Sequence, residues 1–118
     1  MGLIHIENME FYAYHGHFKE ERIVGNKFLV NLTLETDMEK PAETDNIHDA
    51  VDYQRAYQII QKQMETKSHL LENIGKRILD ALYKEFSNIS RAEVKVSKMN
   101  PPIGGKVEKV SVQMSRPE

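Results

Sequence analysis

Residues 27–38, KFLVNLTLETDM, carry the pattern that decides the fold. Phe28, Val30, Leu32 and Leu34 fall on one parity, and Asn31, Thr33 and Glu35 on the other. Side chains of a strand alternate between its two faces, so this period of two predicts a half-buried strand with one apolar side. Upstream, Ile4 and Ile6 alternate in the same way, and the apolar parity then passes to Met9, Phe11 and Ala13. One extra residue near Glu7-Asn8, a β-bulge, accounts for the change of phase. Between these two strands the polar, glycine-bounded run YHGHFKEERIVG (14–25) reads as a loop.

Downstream, EKPAETDNIHD (39–49) breaks the alternation with a proline and turn formers. Tyr53, Ala56, Tyr57, Ile60 and Met64 then recur at spacings of three and four, the stripe of an amphipathic helix. Asp49 or Asp52 is placed to cap it. A short joint, TKSH (66–69), offers Ser68 as the cap of a second helix, whose stripe is Leu71, Ile74, Ile78 and Leu82. RAEVKVSK (91–98) and VEKVSVQM (107–114) read as the third and fourth strands. The order β-β-α-α-β-β predicts an α+β fold, a four-stranded antiparallel sheet with two helices on one face. Such a sheet has two unpaired edges, and pairing between copies is one way to cover them.

The bulk properties set limits on function. The 118 residues fit one domain, residues 1–118, with room for a modest core. A net charge of -2 gives no electrostatic reason to expect nucleic acid. No apolar run approaches the ~20 residues of a membrane span, and MGLIHIENME lacks the basic-then-apolar order of a signal peptide. Cysteine is absent, which removes disulfides and thiolate metal sites and fits a reducing cytoplasm.

Several residues invite chemistry. Counting along the third strand, Ala92, Val94 and Val96 share a face, and Lys98 falls on that same face. Burial of an ammonium lowers a lysine's pKa from about 10.4, and a lysine near 7–8 can exchange protons at neutral pH. The loop that follows, NPPIGG (100–105), restricts φ at two prolines and permits close approach at two glycines. The competing reading is a lysine that snorkels at the sheet edge. Glu72 lies in the first turn of the second helix, beside free backbone N–H groups that suit a heterocycle offering both N–H and C=O. Simple helix-start electrostatics is the plainer explanation of such a residue. Tyr53 opens the first helix on its apolar face, where a tyrosine is usually core. Glu20 and Glu21 form an acidic pair of the kind that loops simply solvate. His15 and His17 form an H-x-H with no third ligand at a telling spacing. Phosphate-binding, dinucleotide-binding and hydrolase fingerprints are absent.

Four stretches then converge: FYAYHGHFKEERIVGNKF (11–28), TDNIHDAVDY (44–53), LLENIGKRI (70–78) and VSKMNPPIGG (96–105). In this order and spacing they resemble the dihydroneopterin aldolases, and the resemblance runs from about Ile4 to Met114. It implies the tunnelling fold, with the sheets of four subunits joined into a barrel, commonly two rings to an octamer, and a site between adjacent subunits. Lys98 then matches the catalytic lysine, and Glu72 the glutamate that anchors the pterin, with the Leu71 backbone beside it. Tyr53, with Val51 near it, matches the tyrosine supplied by the neighbouring subunit, and Glu21 the glutamate near the substrate's polyol tail. No metal and no organic cofactor is implied. The implied reaction is retro-aldol cleavage of 7,8-dihydroneopterin, with 2′ epimerisation as a side reaction. A dihydroneopterin triphosphate epimerase and a noncatalytic pterin-binding barrel are the alternatives. The K-x-N-P-P-I stretch argues against the first and the intact set of Glu21, Tyr53, Glu72 and Lys98 against the second.

Overall fold

A computed structural model describes residues 1–118. The chain runs β1 (Gly2–Ala13), α1 (Lys19–Val24), β2 (Asn26–Thr36), α2 (Glu39–Thr44), a 3-10 turn (Ile47–Asp49), α3 (Tyr53–Glu65), α4 (Leu71–Glu85), β3 (Ile89–Met99) and β4 (Lys109–Arg116). The strands form one sheet in the order β1-β2-β3-β4, every neighbour antiparallel. α4 packs on β3 and β4, and α3 packs on β1 and α4. This is the expected β-β-α-α-β-β scaffold with two short helices added.

The alternation in residues 27–38 fixes the sheet's inner face. Phe28, Val30, Leu32 and Leu34 are fully or almost fully buried, as are Ala92, Val94 and Val96 of β3. Ile74, Ile78, Leu79 and Leu82 of α4 close over them, with Ala56, Ile59, Ile60 and Met64 of α3. The bulge lies where the parity changed. Ile6 pairs with Leu32 but Met9 with Val30, so β1 carries one residue more than β2 across that step. Asn8 takes a left-handed φ of 55°, and its N–H donates to Asn31 Oδ1 at 2.8 Å. A period of two would otherwise turn Met9 and Ala13 outward; the bulge keeps both in the core.

Gly75 sets how closely α4 lies on the sheet. A Cβ there would stand 2.7 Å from Met114 Sδ, so a larger residue would make the Met114 side chain move aside for α4 and β4 to keep this separation.

Three local expectations are corrected. α1 and α2 lie in stretches that read as loop, because no residue of either is buried and neither has a stripe to show. β4 begins at Lys109, two residues later than expected, because Asn100 N–H donates to Glu108 O at 2.7 Å and closes the preceding loop there. Ser68 does not cap α4: Leu70 holds the cap position, and the Ser68 hydroxyl is engaged by Asn73 and Arg77. Asp52 does cap α3, accepting from the N–H groups of Gln54 and Arg55 at 3.0 and 3.4 Å.

Candidate active site

Lys98 sits where the sequence count put it, one step past Val96 on the inner face, opposite Phe28 of β2 and Val110 of β4. Its side chain is only 13% exposed. It is neither an unpaired buried amine nor a snorkelling one. Lys98 Nζ donates to Glu21 Oε1 at 2.8 Å, and the Glu21 side chain is as enclosed as the lysine. The solvated acidic pair read in residues 20–21 is therefore corrected for Glu21. It lies on α1, and α1 presses it against the end of β3.

Glu21's second oxygen accepts from the Phe18 N–H at 3.1 Å, the backward half of a capping box at the start of α1. Both carboxylate oxygens are thus engaged. Burial alone would raise the Glu21 carboxyl. The hydrogen bond from Lys98, that from Phe18 N–H and the adjacent positive charge outweigh it, and the group lies below the usual glutamate range.

Glu72 reaches the same place from another direction. It is exposed, in the first turn of α4. The N–H groups of Asn73 and Ile74 turn back to Leu70 O at 3.2 and 3.4 Å, which leaves those of Leu71 and Glu72 without an intrahelical acceptor. A cleft of about 230 Å³ joins the three segments. His17, Phe18 and Glu21 line one side, Leu71 and Glu72 a second, and Lys98 with Pro101, Pro102 and Ile103 a third. Pro101 is buried and supports the third wall, and Ile103 N–H folds back onto Pro101 O at 2.9 Å. Two carboxylates, one amine and free N–H donors thus face a space with apolar walls. Such a set can bind a polar heterocycle flat and move protons beside it.

Val51 and Tyr53 are elsewhere. They line a second cleft, of about 520 Å³, with Leu3, Ile4 and Thr36. Lys98 is opposite Phe28 at one end of β2, and Thr36 is at the other. At the rise of a strand those eight steps span about 27 Å. No rotamer of Tyr53 crosses that distance. Tyr53 is 64% exposed, which corrects the expectation of a core tyrosine: of the α3 stripe only Ala56, Ile60 and Met64 are buried, and Tyr57 stays exposed, stacked on Phe11. Both clefts are rimmed by exposed apolar groups, Phe18, Leu70 and Ile103 at the first and Leu3 and Tyr53 at the second.

The H-x-H pair divides. His15 is buried, its Nδ1 accepting from Ser68 N–H at 3.0 Å, while His17 is exposed and lies edge-on to Phe18. No group of three or more His, Asp or Glu side chains is arranged to hold a metal ion. No helix is long and apolar enough to cross a membrane.

The family model described as FolB, dihydroneopterin aldolase, matches residues 4–115. The chain belongs to the dihydroneopterin aldolase family. Among curated proteins named dihydroneopterin aldolase it is 34% identical to that of Bacillus subtilis (strain 168) and 35% identical to that of Streptococcus pyogenes serotype M1, each over 98% of both chains. Among solved structures it is similar to E. coli dihydroneopterin aldolase in complex with neopterin, with a TM-score of 0.90 at 20% identity, covering 98% of this chain and 99% of that one. A Burkholderia dihydroneopterin aldolase bound to guanine is similar with a TM-score of 0.77 at 18% identity, covering 98% and 89%. These structural likenesses establish that the fold is that of the family.

Proposed function

We propose that the chain cleaves 7,8-dihydroneopterin by a retro-aldol reaction, giving 6-hydroxymethyl-7,8-dihydropterin and glycolaldehyde, a step toward folate. The observation that carries this reading is the meeting of Lys98, Glu21 and Glu72 in one cleft of a chain that belongs to the aldolase family. The E. coli relative was solved with neopterin, a ligand of the same pterin class.

Glu72 accepts hydrogen bonds from the amino and ring N–H groups of the pterin, and the free backbone N–H groups at Leu71 and Glu72 meet its carbonyl. The ring then lies with its side chain toward Lys98. Cleavage removes the 2′-hydroxyl proton and breaks the C1′–C2′ bond. The electron pair passes into the C=N bond at N5, which is conjugated with the side chain, and protonation at C1′ completes the product. Because the substrate supplies its own electron acceptor, the lysine is not asked to form a Schiff base. Lys98 handles protons through a bound water, and Glu21 positions the tail. Substrate hydroxyls entering between Lys98 and Glu21 weaken their pairing and free the amine to give up a proton. The aldol step is reversible within the site, so re-addition to the other face gives the 2′ epimer, dihydromonapterin.

The site is completed by a second copy of the chain, which brings Val51 and Tyr53 against the Lys98 cleft. The distance between the two clefts within one chain and the apolar rim of each support this. The assembly is a ring of four subunits, two rings to an octamer, in which the free edges of β1 and β4 pair.

Incubation with 7,8-dihydroneopterin, with the products separated by chromatography, tests the reading. Glycolaldehyde and the hydroxymethyl pterin are expected in equal amounts. Epimer without glycolaldehyde would instead make the chain an epimerase, and unchanged substrate would leave a binding protein.

A further inference from the structure

We propose that His15 is a positioning residue of this site, a buried hub that holds the segments bearing Glu21, Glu72 and Lys98 in one arrangement. The inference rests on the reading of those three groups given above. His15 lies two residues past the end of β1 and is 2% exposed. Its contacts reach each of the three segments. Its own chain neighbour, Gly16, begins the loop into α1 and Glu21, and Gly16 N–H donates to Ser68 O at 2.9 Å. In return Ser68 N–H donates to His15 Nδ1 at 3.0 Å, so the loop is stitched twice to the joint that starts α4 and presents Glu72. The ring packs edge-on against Phe28, 5.1 Å between centroids, and Phe28 is the residue paired with Lys98.

The chemistry of the ring is used in this arrangement, not only its shape. Ser68 is itself 4% exposed, so its N–H has no water to turn to, and an apolar ring at position 15 would leave it unsatisfied. Because Nδ1 accepts, the neutral ring carries its proton on Nε2. Burial first, then the charge of Arg77 on α4, lower the His15 pKa to about 4; the Met64 carbonyl pulls the other way by more than the charge of Lys98 on β3 adds. The neutral, accepting tautomer is therefore the one held at neutral pH. Arg77 grips the other side of the joint, donating to Thr66 O and Ser68 Oγ at 2.9 and 2.7 Å. The joint is thus clamped by Arg77 and by His15.

Two substitutions and one measurement on the unaltered protein test this. His15→Phe keeps a ring and removes the acceptor. His15→Asn places its carbonyl oxygen near the position of Nδ1 and keeps it. With 7,8-dihydroneopterin, His15→Phe is expected to lower kcat/KM per folded molecule on the order of 100-fold, through both kcat and KM, as an ångström-scale displacement of site groups does. His15→Asn is expected to recover at least about tenfold of that loss. Wild-type kcat/KM in folded His15→Phe, or no recovery in His15→Asn, overturns the proposal. Nitrogen-15 NMR of the unaltered protein at neutral pH is expected to show a bare, accepting Nδ1 and an exchange-protected Ser68 amide. A protonated Nδ1 overturns it even if neither variant folds. If the unaltered protein releases no glycolaldehyde, the proposed reaction fails, and the NMR result still decides the arrangement around His15.

Discussion

Lys98 and Glu21, 77 residues apart in the chain, form a 2.8 Å ion pair whose two side chains are almost equally enclosed. The pair joins the end of β3 to a helix of six residues that buries nothing of its own. One partner therefore holds α1 in place, and the same partner carries the proposed proton chemistry.

Replacing Lys98 with alanine removes that chemistry and the pairing to α1, while the wall that carries Leu71 and Glu72 stays. A positioned acid–base group contributes on the order of 10²–10⁴ in rate, so Lys98→Ala should lower kcat by about that factor. Pterin binding, measured by fluorescence titration, should change only a few-fold, because Glu72 is untouched. Borohydride added during turnover should trap no covalent lysine adduct. A near-wild-type kcat in Lys98→Ala, or a trapped adduct, would overturn the role given to this residue.

How much of this was legible beforehand depends on where each signal lies. The period of two in β2 and β3 put Lys98 on the inner face, because a strand's parity holds along its length. The bulge in β1 was legible for the same reason, as a break in that parity. Glu21 was not readable as its partner, since a contact across 77 residues leaves no periodic trace and α1 has no apolar stripe. The expectation of a core Tyr53 fails because the apolar spacing of α3 includes Tyr53 and Tyr57, which both stay exposed. His15 drew notice only through its closeness to His17, although the two rings point to different surroundings. A buried histidine that accepts from a backbone N–H has no sequence signature beyond its ordinary spelling.

Glu72 should govern affinity more than rate. A carboxylate that accepts two hydrogen bonds from the ring loses charge-assisted contacts worth about 1.5–3 kcal/mol when truncated. Glu72→Ala is accordingly expected to raise the pterin Kd about 10- to 150-fold, with a smaller fall in kcat. The comparison with Lys98→Ala is the informative one. If Glu72→Ala instead spared binding and abolished kcat, the ring would be anchored elsewhere.

The separation of Tyr53 from Lys98 within one chain makes a strong prediction about mixtures. Lys98→Ala and Tyr53→Ala chains should each be nearly inactive alone. Unfolded together and refolded at equal ratio, they should regain activity, because some sites draw Lys98 from one chain and Tyr53 from another. With random assembly into closed rings, about one quarter of sites carry both native residues. No recovery in well-assembled mixtures would mean that each chain works with its own cleft alone.

The acid side of the stability curve should carry the signature of His15. Its folded pKa is about 4 against an ordinary 6.5, lowered chiefly by burial and then by the charge of Arg77. Above pH 6.5 the ring is neutral in both folded and unfolded chains and contributes no pH dependence. As the pH falls below 6.5 the unfolded chain takes up a proton that the folded chain refuses, so stability declines, by about 2 kcal/mol at pH 5. The decline from this residue is complete near pH 4. Glu21 acts in the next window down. Its carboxyl is held below the usual glutamate range, so the stability from its pairing with Lys98 is present above pH 4.5 and is lost as the pH falls through its folded value. Urea unfolding at pH 7, 6 and 5, and again at pH 4 and 3, separates the two. The unaltered protein should lose stability steadily over the first range, and His15→Asn, which has nothing to protonate, should show a shallower slope there while retaining the steep loss below pH 4.5. Equal slopes between pH 7 and 5 would mean that position 15 takes up its proton as readily folded as unfolded, and the neutral hub would not exist.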